Sequence, residues 1–343
     1  DDAIEVNGQK ITDITRAVIR TKLRDDGLNH LSAAEDAYTY QASLNSYHPI
    51  KEYLSSLRRK PTISPIDNLS SYFKDEDDVF GMWLKRWLIG SVAKVFELAQ
   101  NPMWILDGPQ NIGKSSFCSW LGSALPPYHV EAPINTDDKD AWLRLVSKWT
   151  WEVAELGSTM RKSDREALKN FITTSIVTVR KSYGRDDIVK PAMSSLIGTV
   201  NNEAGFLNDP TGNRRFIICR LTGIDWDYSK LDIHELWAEA YWLYKQGESW
   251  RLTPREAIYQ AKINAQYRVD LPVIDMFCQL YEVTSDPNDY VHTMDVITHL
   301  EKCGLKGNQK ASAMELAAFL KEIGVKKTKR NNLNAYIGVR LIP

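Results

Sequence analysis

Met103-Trp-Ile-Leu-Asp107-Gly108-Pro-Gln-Asn-Ile-Gly113-Lys114-Ser115-Ser116 decides the fold. An apolar, strand-like run stops at Asp107, a loop bounded by two glycines follows, and an apolar segment with helical character continues to Leu121. The loop fits G-x-x-x-x-G-K-[ST]. Its glycines permit backbone angles that turn successive N–H groups inward around a phosphate, and the following helix N-terminus favours negative charge. Gly108, Pro109, Gln110, Asn111, Ile112, Gly113, Lys114, Ser115 and Ser116 are therefore the expected cradle for ATP. Lys114 has the reach for the β- and γ-phosphates, and the Ser115 hydroxyl suits Mg²⁺. The bland alternative is a plain glycine turn.

Outward from this loop, strands and helices alternate. Phe80 to Ala99 carries apolar residues at Trp83, Leu84, Trp87, Leu88, Val92, Val95 and Phe96, which predicts an amphipathic helix with its tryptophans in the core. Trp149 to Leu156 reads as a strand ending in carboxylates. Ser163-Asp-Arg-Glu166 reads as a capping box opening a helix through Ile172. Ile176–Val179 and Ile188–Val189 flank a basic, aromatic tip and predict a β-hairpin. Met193–Val200 and Phe216–Cys219 are two more strand-like runs, and Asp232–Gly247 is a helix with a glycine cap. This alternation predicts an open, mostly parallel α/β sheet.

The ends differ from the middle. Residues 1–68 read as a helical N-terminal region closed by a proline-bearing linker, residues 69–285 as the ATPase core, and residues 286–343 as a third domain. There, helices at Met294–Cys303 and Ser312–Ile323 precede two short strands around Asn331-Asn332, the pattern of a winged helix. Residues 291–343 hold nine Lys/Arg and four Asp/Glu, a local charge of +5 (9 − 4), whereas the whole chain carries −1. Any attraction to nucleic acid must therefore come from local patches. With 343 residues and 43% apolar content, the chain can bury a substantial core. No apolar run approaches the roughly 18 residues of a membrane span. Four cysteines without a C-x-x-C pair suit a reducing compartment, so a cytoplasmic location is expected. The chain opens on Asp1-Asp2, which suggests a piece of a longer protein.

A phosphate loop does not choose among kinases, switches and motors. Hydrolysis needs a carboxylate near Mg²⁺, a group to orient water, and a positive charge to meet the γ-phosphate. Glu152 and Glu155 are the candidate carboxylates. Residues three apart on a strand point to opposite faces, so both serve only if the strand ends between them. Asn201 is placed to hold the water, and Arg214 or Arg215 to meet the phosphate from a neighbouring subunit. Solvated acids, an Asn-rich turn and a surface ion pair are the respective alternatives. For DNA, Arg180, Lys181, Tyr183 and Arg185 on the hairpin combine cations with a ring that could stack on a base. Lys326, Lys327, Lys329 and Arg330 form a second basic surface, whose alternative reading is a strand edge protected by lysines.

With these residues in place, the chain resembles the virulence-associated protein E family, which sits with the superfamily 3 helicases and the helicase halves of phage primases. The resemblance is carried by Ser46-Tyr-His-Pro49, Arg86-Trp-Leu-Ile-Gly90, Leu106–Ser115, Trp151-Glu-Val-Ala-Glu-Leu156, Gly198-Thr-Val-Asn201 and Asp209-Pro-Thr-Gly-Asn-Arg-Arg-Phe216. It implies an AAA+-like P-loop NTPase fold. Lys114 and Ser115 become the Walker A pair, Glu152 the Walker B acid and Mg²⁺ ligand, Glu155 a second acid, and Asn201 the sensor. Arg214 or Arg215 becomes the finger given to the adjacent subunit. The implied activity is an ATP-dependent DNA helicase or translocase serving a phage or mobile element in a bacterial cytoplasm. The implied partners are DNA and further copies of the chain in a ring expected to be a hexamer; whether a primase or polymerase domain precedes residue 1 on a longer chain is left open by the sequence. Two rivals stand beside it: a DNA-stimulated switch or initiator loader that never unwinds, and an ATP-sensing DNA-binding regulator. Two departures from the family pattern matter. Two residues separate the acids where many members have them adjacent, and Asn111 occupies a loop position that is often glycine.

Overall fold

The computed structural model describes residues 4–6, 9–28, 30–58, 63–154, 156, 162–180, 187–201, 213–267, 272–284, 286–305, 309–330 and 332–342. The chain divides into two compact units, Asp1–Arg268 and Val269–Pro343. Composition places boundaries at 68/69 and 285/286, and packing explains why the units divide elsewhere. Ile50, Leu54, Ile66 and Leu69 join the main core, so the last part of the N-terminal region, from Ile50 on, packs with that core rather than as a separate domain. Val273 and Phe277, on the helix Pro272–Leu280, belong to the second core.

The first unit is built on a six-stranded sheet. Its order is Phe73–Asp75, Phe216–Ile224, Met103–Asp107, Ser195–Val200, Thr150–Val153, His129–Glu131. The edge strand Phe73–Asp75 is antiparallel to its neighbour, and every other pairing is parallel. Parallel strands covered on both faces need continuous apolar side chains. Met103–Asp107 and Ser195–Val200 are accordingly buried at every position.

Helix Phe80–Phe96 departs from the expected amphipathic pattern. Trp83, Leu84, Trp87, Leu88, Ile89, Gly90, Ser91, Val92 and Ala93 are all buried, so no broad face is left to water. A helix apolar on all sides belongs in the middle of a core. Trp83 and Trp87 confirm this, donating their indole N–H groups to the carbonyls of Ile218 and Leu196, both at 3.0 Å. Two other predicted helices begin earlier than their apparent caps. One spans Lys162–Thr173, so Ser163 lies inside it, and the other spans Gln309–Glu322, so Ser312 does too. The hairpin forms as expected, with Ile176–Arg180 paired antiparallel to Asp187–Pro191.

In the second unit, Val273, Phe277, Val296, Ile297, Leu300, Leu316, Leu320, Tyr336 and Val339 make the core. Strand Lys327–Arg330 pairs with Leu333–Ile337 across a turn in which Asn332 takes a φ of +63°. Gly338, at φ +72°, splits the predicted second strand into Leu333–Ile337 and Val339–Leu341. No helix of the described residues is long and apolar enough to cross a membrane.

Candidate functional site

The loop after Met103–Asp107 leads directly into helix Lys114–Gly122. Three left-handed residues shape it: Gly108 (φ +153°), Asn111 (+64°) and Gly113 (+108°). A Cβ on Gly108 would lie 2.4 Å from the Leu221 carbonyl oxygen, so only glycine lets the loop sit against the neighbouring strand. Asparagine is among the side chains that tolerate the left-handed region, which is how Asn111 fits a position that glycine often fills. Gly108 is buried and Ile112 and Gly113 are half-buried, while Pro109, Gln110, Asn111, Ser115 and Ser116 face solvent.

Lys114 is buried at the start of the helix, and its ammonium spans the loop. Its Nζ donates to the carbonyls of Gly108 (2.7 Å) and Pro109 (2.8 Å) and to Asn201 Oδ1 (3.1 Å). Burial lowers its pKa, and Asp107 opposes that shift. The link to Asn201 follows from sheet register. Asp107 pairs with Val200 on the parallel neighbour, so both strands end level and the next residue on one meets the loop of the other.

Glu152 occupies the third strand of this group, with Ser195–Val200 between it and the loop strand. It is 1% exposed, and neither carboxylate oxygen has a hydrogen-bond partner among the described residues. Burial pushes its pKa up to about 7. The nearby Ser115 hydroxyl works against that rise, and Glu131 adds to it. An acid buried with so little to answer its charge is costly. A cation between Ser115 and Glu152 would remove that cost, so the donor set fits Mg²⁺. The strand carrying Glu152 ends at Val153, between the two acids named from sequence. Glu155 itself lies outside the described residues.

Arg214 and Arg215 are not part of this cluster. They sit in the turn Asn213–Arg215, just before Phe216, which pairs in parallel with Met103 at the start of the loop strand. Four residues, about 13 Å of strand, separate that level from Asp107. The arginines are thus at the opposite end of the sheet from their own chain's cradle. Arg214 is exposed and Arg215 half-buried. The turn is pinned by Gln260, whose amide donates to the carbonyls of Arg214 (3.0 Å) and Phe216 (2.8 Å).

The candidate nucleic-acid residues are dispersed. Arg180 is exposed on the hairpin and paired with Asp187 at 3.0 Å, which answers its charge within the chain. Lys181, Tyr183 and Arg185 lie outside the described residues. Strand Lys327–Arg330 is exposed at every position, as is Lys326. Lys327 lies over the Tyr336 ring and Arg330 over the Tyr290 ring, at 5.9 and 5.6 Å.

Several neighbours escaped the sequence reading. Tyr267 donates to Asp107 at 2.6 Å, and burial together with that bond lifts its phenol far above the usual range. Glu131 pairs with Glu152 across the edge of the sheet. Arg220, level with Asp107, is held bidentately by Asp77 at 2.8 Å. Trp226 lies against Gly113. Only Asp107 carried a signal, as the residue ending the strand.

A family model for the virulence-associated protein E-like domain matches residues 56–269. No curated protein matches the chain. Among solved structures, the apo structure of the NrS-1 C terminal region (305-718) superposes with a TM-score of 0.47 and 15% identity, covering 84% of this chain and 78% of that one. Its A form gives 0.43 and 11%, over 83% and 78%. With the family match spanning residues 56–269, the chain belongs to the virulence-associated protein E-like family.

Proposed function

We propose that the chain is a Mg²⁺-dependent ATPase of the P-loop, superfamily 3-like kind. On this reading hydrolysis drives movement on DNA during replication of a phage or mobile element. The observation that carries the reading is the meeting of Lys114 with Asn201 and of Ser115 with a buried Glu152 that has no formed hydrogen bond among the described residues, all on neighbouring interior strands of the sheet or in the loop and helix that follow them. Lys114, now donating to loop carbonyls and Asn201, exchanges those partners for phosphate oxygens. Ser115 and Glu152 would hold Mg²⁺, which when bound would neutralise phosphate charge. Asn201, half-buried beside the lysine, orients the attacking water through its amide.

The missing positive charge comes from a second copy. Because Arg214 and Arg215 stand at the far end of their own sheet, either one reaches a γ-phosphate only across a subunit boundary. That requires an oligomer, and a ring of such copies is the arrangement we favour. DNA contact falls to the hairpin and to the exposed basic strand Lys327–Arg330, the wing of a winged-helix-like second unit. Clustered cations with rings beneath them suit a phosphate backbone.

The test is ATP turnover with and without single-stranded DNA, alongside mass measurement with a non-hydrolysable analogue. DNA-stimulated turnover by an oligomer is expected. Turnover indifferent to DNA, from a species that stays monomeric, contradicts the reading. A forked duplex then separates a helicase from a switch that never unwinds.

A further inference from the structure

We infer that Trp226 is the platform on which the base of the bound nucleotide stacks. This deepens the ATPase reading and rests on it. Trp226 opens the short helical turn Trp226–Lys230, directly after the strand Phe216–Ile224. The residue before it is fixed at both ends. The Asp225 N–H donates to the Tyr72 carbonyl at 2.8 Å, and the Asp225 carboxylate accepts from the Asp227 N–H at 3.0 Å.

From that anchored position the indole reaches the phosphate loop. Its Cζ2 and Cη2 atoms lie 2.9 and 3.1 Å from where a Cβ on Gly113 would stand. The ring edge thus rests on the backbone of the residue just before Lys114. Glycine at 113 is what makes this approach possible.

Trp226 nevertheless remains 52% exposed, whereas Trp83, Trp87, Trp104, Trp151 and Trp237 of the same unit are fully buried. A large apolar face therefore stays wet at the rim of a cradle whose interior is polar. Phosphates held by the loop N–H groups put the ribose and base of the same molecule at that rim. A planar base covering the indole recovers its apolar area, and the two π faces stack. Glu152, 1% exposed and without a formed hydrogen bond among the described residues, is the independent sign that a ligand belongs here.

The test compares ATP with inorganic tripolyphosphate, both with Mg²⁺, by calorimetry on the full chain and on Trp226→Ala and Trp226→Phe. The wild-type chain should bind ATP about 10-fold more tightly than tripolyphosphate. Trp226→Ala should bring ATP down to the tripolyphosphate level and leave tripolyphosphate unchanged, while Trp226→Phe keeps most of the preference. The inference is overturned if Trp226→Ala keeps the preference for ATP. It is equally overturned if that variant weakens both ligands alike, since the ring then only props the loop. Wild-type chain that binds neither ligand overturns the phosphate cradle itself, a failure visible before any variant is made.

Discussion

Lys94 and Glu152 are buried at opposite ends of one parallel sheet, and burial brings both to a pKa of about 7. Their surroundings differ. Lys94 donates to the Ser194 carbonyl at 2.6 Å, just before the strand Ser195–Val200 begins, in a neighbourhood where the Trp149 indole also finds the Ser91 carbonyl. Glu152, next to last on its own strand, has no formed hydrogen bond among the described residues, and only the nearby Ser115 hydroxyl opposes the rise of its pKa. A desolvated group whose partner lies in its own chain is explained by folding. One without a partner points to something the chain binds. The same desolvation thus marks structure at one end of the sheet and chemistry at the other.

That contrast breaks most readily at the cradle. Lys114→Ala should remove ATP turnover, a loss of at least about 1,000-fold by steady-state phosphate release, because no other described cation donates into the loop. Glu152→Gln should lower turnover by at least about 100-fold and yet stabilise the unliganded chain. The sign follows from its pKa. A carboxyl that titrates near 7 when folded and at 4.5 when unfolded holds an extra proton in the folded state between those values. Stability therefore falls as pH rises from 4.5 to 7 and stays low above it. Removing the charge should recover on the order of 2 kcal/mol at pH 8 and almost nothing at pH 4.5, read by urea unfolding.

The other end should behave in the opposite way. Lys94 has a folded pKa below its ordinary 10.5, so its contribution to stability is present above that value and is lost as pH falls through about 7. Lys94→Met should abolish that slope and leave ATP turnover within about twofold of wild type. A large loss of turnover would show that the two ends are not separable. The smallest effect belongs to Asn111→Gly. At φ +64° both residues are tolerated, so stability should change by only a few tenths of a kcal/mol. Asn111→Ala should cost about 1 kcal/mol more than Asn111→Gly in the same unfolding assay.

The cradle was legible because its residues are contiguous: the apolar run, the two glycines, Lys114 and Ser115 fall within one short stretch. Asn201 and Glu152 were legible as residues at strand ends, since parallel sheets gather chemistry where strands finish. What could not be read was which strand lies beside which. The insertion of Ser195–Val200 between the loop strand and the Glu152 strand is set by packing over distant parts of the chain. The contacts between Tyr267 and Asp107, Arg220 and Asp77, and Trp226 and Gly113 have the same long-range origin. Helix starts at Lys162 and Gln309 were missed because serine, a favoured cap, is also tolerated inside a helix, so its presence does not by itself fix the boundary. The all-round burial of Phe80–Phe96 escaped for a related reason. Its Arg86 is tied to Glu248 and Glu256 at 3.0 Å, pairings with residues far along the chain that let a charge lie on a buried helix.

The most direct measurement mixes two crippled chains. Lys114→Ala lacks the cradle's cation, and the double variant Arg214→Ala/Arg215→Ala lacks the guanidinium groups; each alone should fail to hydrolyse ATP, although the arginine variant should still bind it. An equimolar mixture should regain turnover, because some boundaries then join an intact cradle to intact arginines. A mixture as inactive as its parts, or an arginine variant that turns over ATP at the wild-type rate by itself, would contradict a site shared between two chains.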